Sequence, residues 1–308
     1  MELGILPGLF SSPYLGLLVS IVLYAVGGGL IEVLISPIVE ACPTENKSSE
    51  MSLLHSFYCW GHVAVVLLST LFFGTVGIEN WPILTTLWAL LPLFNAVYFC
   101  FVPIHTLVEE KQRSLSIRDL FSLKTFWILA LLMVCAGASE QAMSQWASAF
   151  AESGLHVSKT MGDLLGPCLF AALMGTSRLL YARLSHRISL QKGLILSGIL
   201  CLLSYALTLF SPLPLLSLLG CGLCGFSVGM LWPGTFSLAS IHCPAGGTAM
   251  FALLALAGDL GCSGGPTLAG AVSSTFQNNL RIGILSAIAF PALLFMGVLL
   301  SARNTRRS

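Results

Sequence analysis

The chain has 308 residues, of which 56% are hydrophobic and only 9% are charged, and its mean hydropathy is +0.89. A soluble domain carries about 25% charged residues, so this composition excludes a surface that faces water and makes the lipid bilayer the main solvent of the chain. The formal net charge of +1 gives no indication of a nucleic-acid partner.

Nine apolar segments are each close to the roughly 20 residues that a helix needs to cross a bilayer. Segments this apolar have little amphipathic periodicity, so their length and their flanking polar residues set the predicted bounds. We therefore predict an all-α fold, a polytopic bundle of about nine transmembrane helices. The predicted spans cover residues 14–39, 52–76, 82–103, 125–151, 161–184, 190–210, 213–240, 247–275 and 280–302.

The basic residues cluster in three places that nine spans would put on the same side of the membrane. The positive-inside rule makes that side cytoplasmic, with the C-terminus inside and the N-terminus outside. We expect a multi-pass protein of a bacterial inner membrane. The three clusters are Lys111, Arg113, Arg118 and Lys124; Arg183, Arg187 and Lys192; and Arg303, Arg306 and Arg307.

One long polar connection, residues 105–124, divides the predicted spans into two unequal groups. Residues 1–104 would form a partial N-terminal half with three spans, residues 105–124 a cytoplasmic loop, and residues 125–308 a C-terminal half with six spans. Transporters built from two similar six-helix halves carry such a loop between the halves. We therefore expect that a first block of three helices is missing, either because the chain is a fragment or because its start is displaced.

The chain carries no sequence motif for catalysis or for a cofactor. It has no nucleotide-binding loop, no HExxH zinc motif and no supported Ser/His/Asp set. Its ten cysteines are scattered, and the pair Cys221 and Cys224 has no histidine or second pair nearby, which favours packing over metal binding. We expect neither an enzyme nor a metal or cofactor site.

Glu32 lies in the middle of the first predicted span, between glycine and aliphatic residues. An acidic group at the centre of a membrane helix costs about 2.5–3.5 kcal/mol, so chains rarely keep one there without a use. One interpretation is a substrate or proton site that faces the interior of the bundle. The other is a protonated, hydrogen-bonded glutamate that only bridges helices. We favour the first, with Glu32 as the group that takes up and releases a proton.

The residues around Glu32 resemble a known family. The run Gly27–Pro37 and the opening of the next helix, Met51–Phe57, resemble helices four and five of the major facilitator superfamily, and within it the fucose:proton symporter group of sugar permeases. Glu32 takes the place of that group's membrane-buried glutamate and His55 that of its histidine or glutamine, whereas Ser36 replaces an asparagine. The resemblance implies that the chain corresponds to helices four to twelve of that fold.

Two further segments carry the resemblance. Residues Gly175–Arg178, followed by Arg183–Arg187, resemble a degenerate copy of the superfamily's basic cytoplasmic motif, and residues 247–266 resemble helix eleven of related members. The sequence departs from the family in lacking its first helix, with that helix's acidic ligand, and in the apolar residues that follow Cys59 in the second span.

Several polar side chains within the spans are candidate ligands of the sugar that the resemblance implies. His55 lies two helical turns before His62 on the same helix face, and its alternative role is to cap the helix end. Asn95 in the third span is a lesser candidate. Asp259 in the eighth span is a second candidate acid. Because Arg178 lies toward the cytoplasmic end of its helix, we expect no ion pair in the core of the bundle.

The fourth span supplies the remaining candidates: Glu140, Gln141, Gln145 and Trp146. Carboxylate and amide groups can hydrogen-bond to sugar hydroxyls, and an indole ring can pack on the apolar face of a sugar. The alternative is an aromatic anchor at the outer membrane interface, because the predicted span ends near residue 151.

The resemblance implies a secondary active transporter, a proton-coupled sugar permease whose partners are a small polar solute and protons and which works by alternating access. Two alternatives stay open. One is a truncated or degenerate membrane protein that transports nothing, and the other is a facilitator of a solute that is not a sugar. The sequence leaves the solute, the coupling ion and the oligomeric state undetermined.

The orientation can be tested by labelling single cysteines on a cysteine-free background with a membrane-impermeant maleimide in intact cells. Arg113→Cys and Arg306→Cys should react only after permeabilisation, because the positive-inside rule puts both positions in the cytoplasm. Asn278→Cys should react without it. Labelling of position 278 only after permeabilisation would reverse the orientation.

Overall fold

The computed structural model of the protein describes residues 12–105, 115–155 and 157–305. These residues form helices and short connections and contain no strand, which confirms the all-α prediction. Within the described ranges, nine helical segments are long and apolar enough to cross a membrane, numbered here as spans 1 to 9. They are Tyr14–Ala41, Lys47–Val76, Ile78–Phe99, Lys124–Glu152, Lys159–Leu184, Leu190–Phe210, Pro214–His242, Pro244–Thr275 and Leu280–Leu300.

The observed spans agree with the predicted ones to within a few residues, and the largest difference, at the start of span 2, has a local cause. Span 2 begins at Lys47 rather than at residue 52 because Asn46 caps the helix and accepts a hydrogen bond from the Ser49 amide at 3.2 Å. The Lys47 ammonium also donates to backbone carbonyls at the end of span 1, including that of Cys42 at 2.6 Å. A polar first turn therefore extends the helix beyond its apolar part.

Part of the predicted loop 105–124 is helical. Residues Ile117–Ser122 form a short helix that begins with a capping box, in which Ser116 and Asp119 bond to each other's backbone amides. The Leu115 amide donates to the Ala245 carbonyl at 2.9 Å, which ties this segment to the first turn of span 8. Residues 106–114 lie outside the described residues, and the division into a three-span and a six-span half stays a prediction.

Several spans are not continuous helices. Span 4 contains helix Lys124–Ser144 and most of helix Ala147–Leu155, and span 7 consists of helices Pro214–Val228 and Leu231–His242. Span 5 contains a π-helical turn, Leu164–Cys168. Irregular backbone at membrane depth is tolerated only where protein or water satisfies the freed polar groups, so these breaks mark places where neighbouring side chains or a cavity meet the backbone.

Spans 4 and 8 pack closely along a row of glycines. A Cβ atom added to Gly137 would clash with the Gly258 carbonyl, and one added to Gly261 would clash with the Val134 carbonyl. Small residues allow the backbones of membrane helices to approach, and dispersion contacts can then hold the helices together without a hydrophobic driving force. This contact fixes the position of Asp259 relative to span 4.

The first three spans are attached to the rest mainly through span 2. It packs against span 5 and against the second helix of span 7, while span 1 packs against span 8 and span 3 lies mainly against span 2. The basic end of the bundle is defined here as the end that carries the connections 42–46, 185–189 and 243–246.

Three hydrogen bonds join spans 2 and 5, or the residues next to their ends, near the basic end. The Asn46 side-chain amide donates to the Ser185 hydroxyl, the Ser49 hydroxyl to the Ala182 carbonyl and the Ser52 hydroxyl to the Arg178 carbonyl, each at 2.8 Å. The contact between the two groups of spans is therefore closed at this end.

The glycine packing predicts a position-specific loss of stability. Gly261→Val should destabilise the protein by about 1–3 kcal/mol, because its side chain would force spans 4 and 8 apart. Gly264→Val is the matched control, since a Cβ atom at Gly264 meets no atom within 4 Å, and both changes carry the same helix-propensity cost.

Thermal denaturation in detergent measures both variants. Equal midpoints for the two would contradict the close packing of these spans.

Candidate functional site

An ion pair lies buried at the centre of the bundle. The Arg178 side chain, from the helix Leu169–Leu184 of span 5, is paired with Glu140 of span 4, with 3.5 Å between one terminal guanidinium nitrogen and the carboxylate. The exposed fractions are 2% for Arg178 and 7% for Glu140. Buried charges are retained only when they are paired and hydrogen-bonded, so this pair supports the structure around it.

The Arg178 guanidinium has three more partners. Its Nε donates to the Gly229 carbonyl at 2.9 Å, and its other terminal nitrogen donates to the His55 carbonyl at 2.7 Å and to the Cys59 sulfur at 3.1 Å. Gly229 lies at the break in span 7. One side chain therefore connects spans 2, 4, 5 and 7.

The expectation that the core contains no ion pair is wrong. Arg178 does lie only about 9 Å from the basic end of its helix, at about 1.5 Å of rise per residue. Its long side chain points back along the helix toward the N-terminus, which in span 5 is the direction of the bundle centre. The reach of the side chain, rather than the position of its Cα atom, decides where the charge lies.

The His55 side chain contacts residues of two other spans. Its Nε2 is hydrogen-bonded with the Ser36 hydroxyl of span 1 at 3.3 Å, and its ring stacks on Phe236 of span 7 with 5.9 Å between centroids. Phe236 also contacts Trp232 and Phe251. His55 therefore forms part of the contact between spans 1, 2 and 7 rather than capping a helix end.

Glu32 and Asp259 lie well inside spans 1 and 8. Ten residues separate Glu32 from Cys42, about 15 Å, and twelve separate Asp259 from Gly247, about 18 Å. Glu32 is half-buried and interacts electrostatically with both Asp259 and Glu140. Within the described residues, neither Glu32 nor Asp259 has a hydrogen bond or a cationic partner. Three carboxyl groups, from spans 1, 4 and 8, thus face a common region.

The other predicted ligands are distributed less tightly. Trp146 occupies the break in span 4, where its indole N–H donates to the Pro266 carbonyl at 3.2 Å and its ring lies against Gly270. Gln145, beside it, is exposed, and Gln141 is half-buried. The Trp146 ring is therefore packed on span 8, one and a half helical turns beyond Glu140 on span 4.

Asn95 is exposed on span 3, whose main helical contact is with span 2. The structure does not bring Asn95 to the three carboxyl groups. His62 contacts Tyr58 edge-on, with 6.4 Å between ring centroids, and is separate from the His55 ring. The roles of these side chains stay predictions.

Two polar residues near the three carboxyl groups were not among the predicted ligands: Arg178, whose side chain was expected to stay near the end of its helix, and Tyr58. Tyr58 interacts electrostatically with both Glu140 and Arg178. The available signal was the position of Arg178 itself, six residues inside the end of an apolar span, where a cation needs a partner.

Within the described residues, nine spans of membrane-crossing length, several of them broken, and a buried ion pair characterise a polytopic membrane protein. The chain belongs to the Major Facilitator Superfamily, whose family model matches residues 2–266.

Two solved structures show the same fold. A variant of the E. coli fucose:proton symporter FucP has a TM-score of 0.75 at 15% identity, over 93% of this chain and 77% of that one. FucP in the outward conformation has a TM-score of 0.75 at 14% identity, over 93% of this chain and 76% of that one. No curated protein matches this chain.

The buried ion pair predicts an asymmetry between the acids. Glu140→Gln should lower the stability by about 3–5 kcal/mol, because it leaves a buried guanidinium without its counter-charge. Asp259→Asn should change the stability little, since Asp259 is exposed and has no cationic partner among the described residues.

Thermal denaturation of the purified variants in detergent measures the difference. The double change Glu140→Gln with Arg178→Gln should recover part of the loss, as removing both charges also removes the unpaired one. A larger loss for Asp259→Asn than for Glu140→Gln would contradict this arrangement.

Proposed function

We propose that the protein is a proton-coupled secondary transporter of a small polar solute, with a sugar as the solute class, working by alternating access. The observation that carries the proposal is the set of three carboxyl groups from spans 1, 4 and 8, of which, in the part of the chain that the structure describes, only Glu140 has a buried cationic partner. Solute and coupling-ion sites of secondary transporters lie near the bilayer midplane, often beside discontinuous helices.

Glu32 is the proton-coupling group in this proposal. Its carboxylate has neighbouring acids and, among the described residues, no cation to neutralise it. Repulsion between carboxylates favours a protonated form of one of them. A carboxyl group that is only half-buried can take up a proton from one side of the membrane and release it on the other.

The sugar is proposed from the chemistry of the surrounding groups. Glu140 and Asp259 can accept hydrogen bonds from hydroxyl groups, and Tyr58 and Gln141 can donate as well as accept. The similarity in fold to a fucose:proton symporter supports the same solute class. Gln145 and Trp146, farther along span 4, remain proposed contributors to the solute pathway.

The contacts at the basic end support the proposal that the structure represents one state of the transport cycle, in which this end is closed. Hydrogen bonds between spans 2 and 5 close this end, and one of the similar structures is in an outward conformation. If the basic end is cytoplasmic, as the charge distribution predicts, the arrangement described here is closed toward the cytoplasm. Opening the cytoplasmic side would then require span 2 to separate from span 5.

Glu32→Gln tests the coupling role. In proteoliposomes with an inwardly directed proton gradient, it should abolish accumulation of labelled sugar and preserve sugar exchange at zero gradient, because glutamine can hydrogen-bond but cannot carry a proton. Glu79→Gln, at an exposed acid in the first turn of span 3, is the matched control and should retain both activities.

Accumulation by Glu32→Gln with the wild-type dependence on the gradient would make Glu32 structural. Counterflow with a panel of labelled sugars, including fucose, separates the alternatives. Wild-type protein that exchanges none of them, although correctly folded, would favour a non-transporting protein or a carrier of another solute.

A further inference from the structure

We propose that Arg178 is a positioning residue that stabilises the state in which the basic end is closed, and that Glu140 serves to aim it. The proposal rests on the alternating-access function proposed above and assigns part of its conformational control to one side chain.

The partners of Arg178 fall into two sets. Glu140 and Gly229 belong to spans 4 and 7, which pack with span 5. The His55 carbonyl and the Cys59 sulfur belong to span 2. The guanidinium thus has two contacts within spans 4 to 9 and two contacts with span 2.

The two sets differ in what happens when the basic end opens. Separation of span 2 from span 5 breaks the contacts to His55 and Cys59 and leaves those to Glu140 and Gly229 intact. The buried charge therefore keeps a counter-ion and a carbonyl acceptor in both states. The contacts to span 2 exist only while the basic end is closed. They therefore stabilise the closed state relative to the open one.

Arginine is the residue type that this geometry requires. Its planar guanidinium presents five donors in a rigid fork, so it can serve the Gly229 carbonyl, the Glu140 carboxylate and span 2 at once. The ammonium of lysine has three donors at one point and cannot reach partners on opposite sides in the same way. Arg178→Lys should therefore retain the charge and lose part of the effect.

Closure of the basic end can be measured at polar contacts that lie nearer this end than Arg178 does. The Asn46 side chain donates to the Ser185 hydroxyl at 2.8 Å, so cysteines at these two positions should cross-link when the end is closed. The background has Cys42, Cys100 and Cys262 replaced by serine, because these are the cysteines that are not buried. Cys59 stays in place, since it is a partner of Arg178.

The experiment measures the rate of oxidative cross-linking in Asn46→Cys/Ser185→Cys protein in nanodiscs. Arg178→Gln should lower the rate about tenfold, as the closed state loses two hydrogen bonds from a charged donor. Arg178→Lys should give an intermediate rate. Arg183→Gln, at an exposed arginine on the same helix, should leave the rate unchanged.

Folding is checked by thermal denaturation of each variant. If Arg178→Gln does not fold, Arg178→Lys decides, and an unchanged rate in that variant overturns the proposal. An unchanged rate in folded Arg178→Gln, or an equal decrease in Arg183→Gln, overturns it as well.

The cross-linking assay requires no transport. Cross-linking that depends on Arg178 as expected, in a protein that carries no sugar, would contradict the proposed solute and support the role of Arg178. Wild-type transport of sugar, with no dependence of cross-linking on Arg178, would support the proposed function and overturn the role of Arg178.

Discussion

A guanidinium group buried in a helical bundle must find a counter-charge and acceptors for its N–H groups, and the arrangement around Arg178 meets that constraint. Three neighbouring spans supply its partners. Span 4 supplies the Glu140 carboxylate, span 7 supplies the Gly229 carbonyl at its break, and span 2 supplies the carbonyl of His55 and the sulfur of Cys59. In a low-dielectric interior, a polar group of this network that lost its partner would cost free energy. The relative positions of four spans are therefore linked through one side chain.

The packing of spans 4 and 8 determines how the remaining acids meet this network. Gly137, Gly258 and Gly261 allow the two helix backbones to touch, which holds Asp259 at a fixed distance from Glu140. Span 1 packs on span 8 and brings Glu32 to the same region. The close glycine contacts thus serve the site as well as the stability of the bundle, because a wider separation would move Asp259 away from the other two carboxyl groups.

The three acids are chemically similar and differ in their surroundings. Glu140 is buried with a cation, whereas Glu32 is half-buried and Asp259 is exposed, and neither has a cationic partner among the described residues. A paired carboxylate is suited to a fixed structural charge, and a carboxyl group without a cation is suited to exchanging a proton or binding a hydroxyl. This division assigns the ion pair to conformational control and Glu32 to coupling in the proposed transport cycle.

The sequence alone determined the membrane class, the number of spans and most of their bounds, because bilayer thickness fixes the length of an apolar helix whatever its neighbours are. It also singled out Glu32, since the cost of a deep acid depends on depth and can be read from the surrounding residues. The tertiary structure decided which acid pairs with Arg178, where Trp146 packs and where spans 4 and 7 break. Helices that are apolar on every face contain no periodic signal for their rotation, and the reach of a long side chain to another span depends on packing that only the assembled bundle provides.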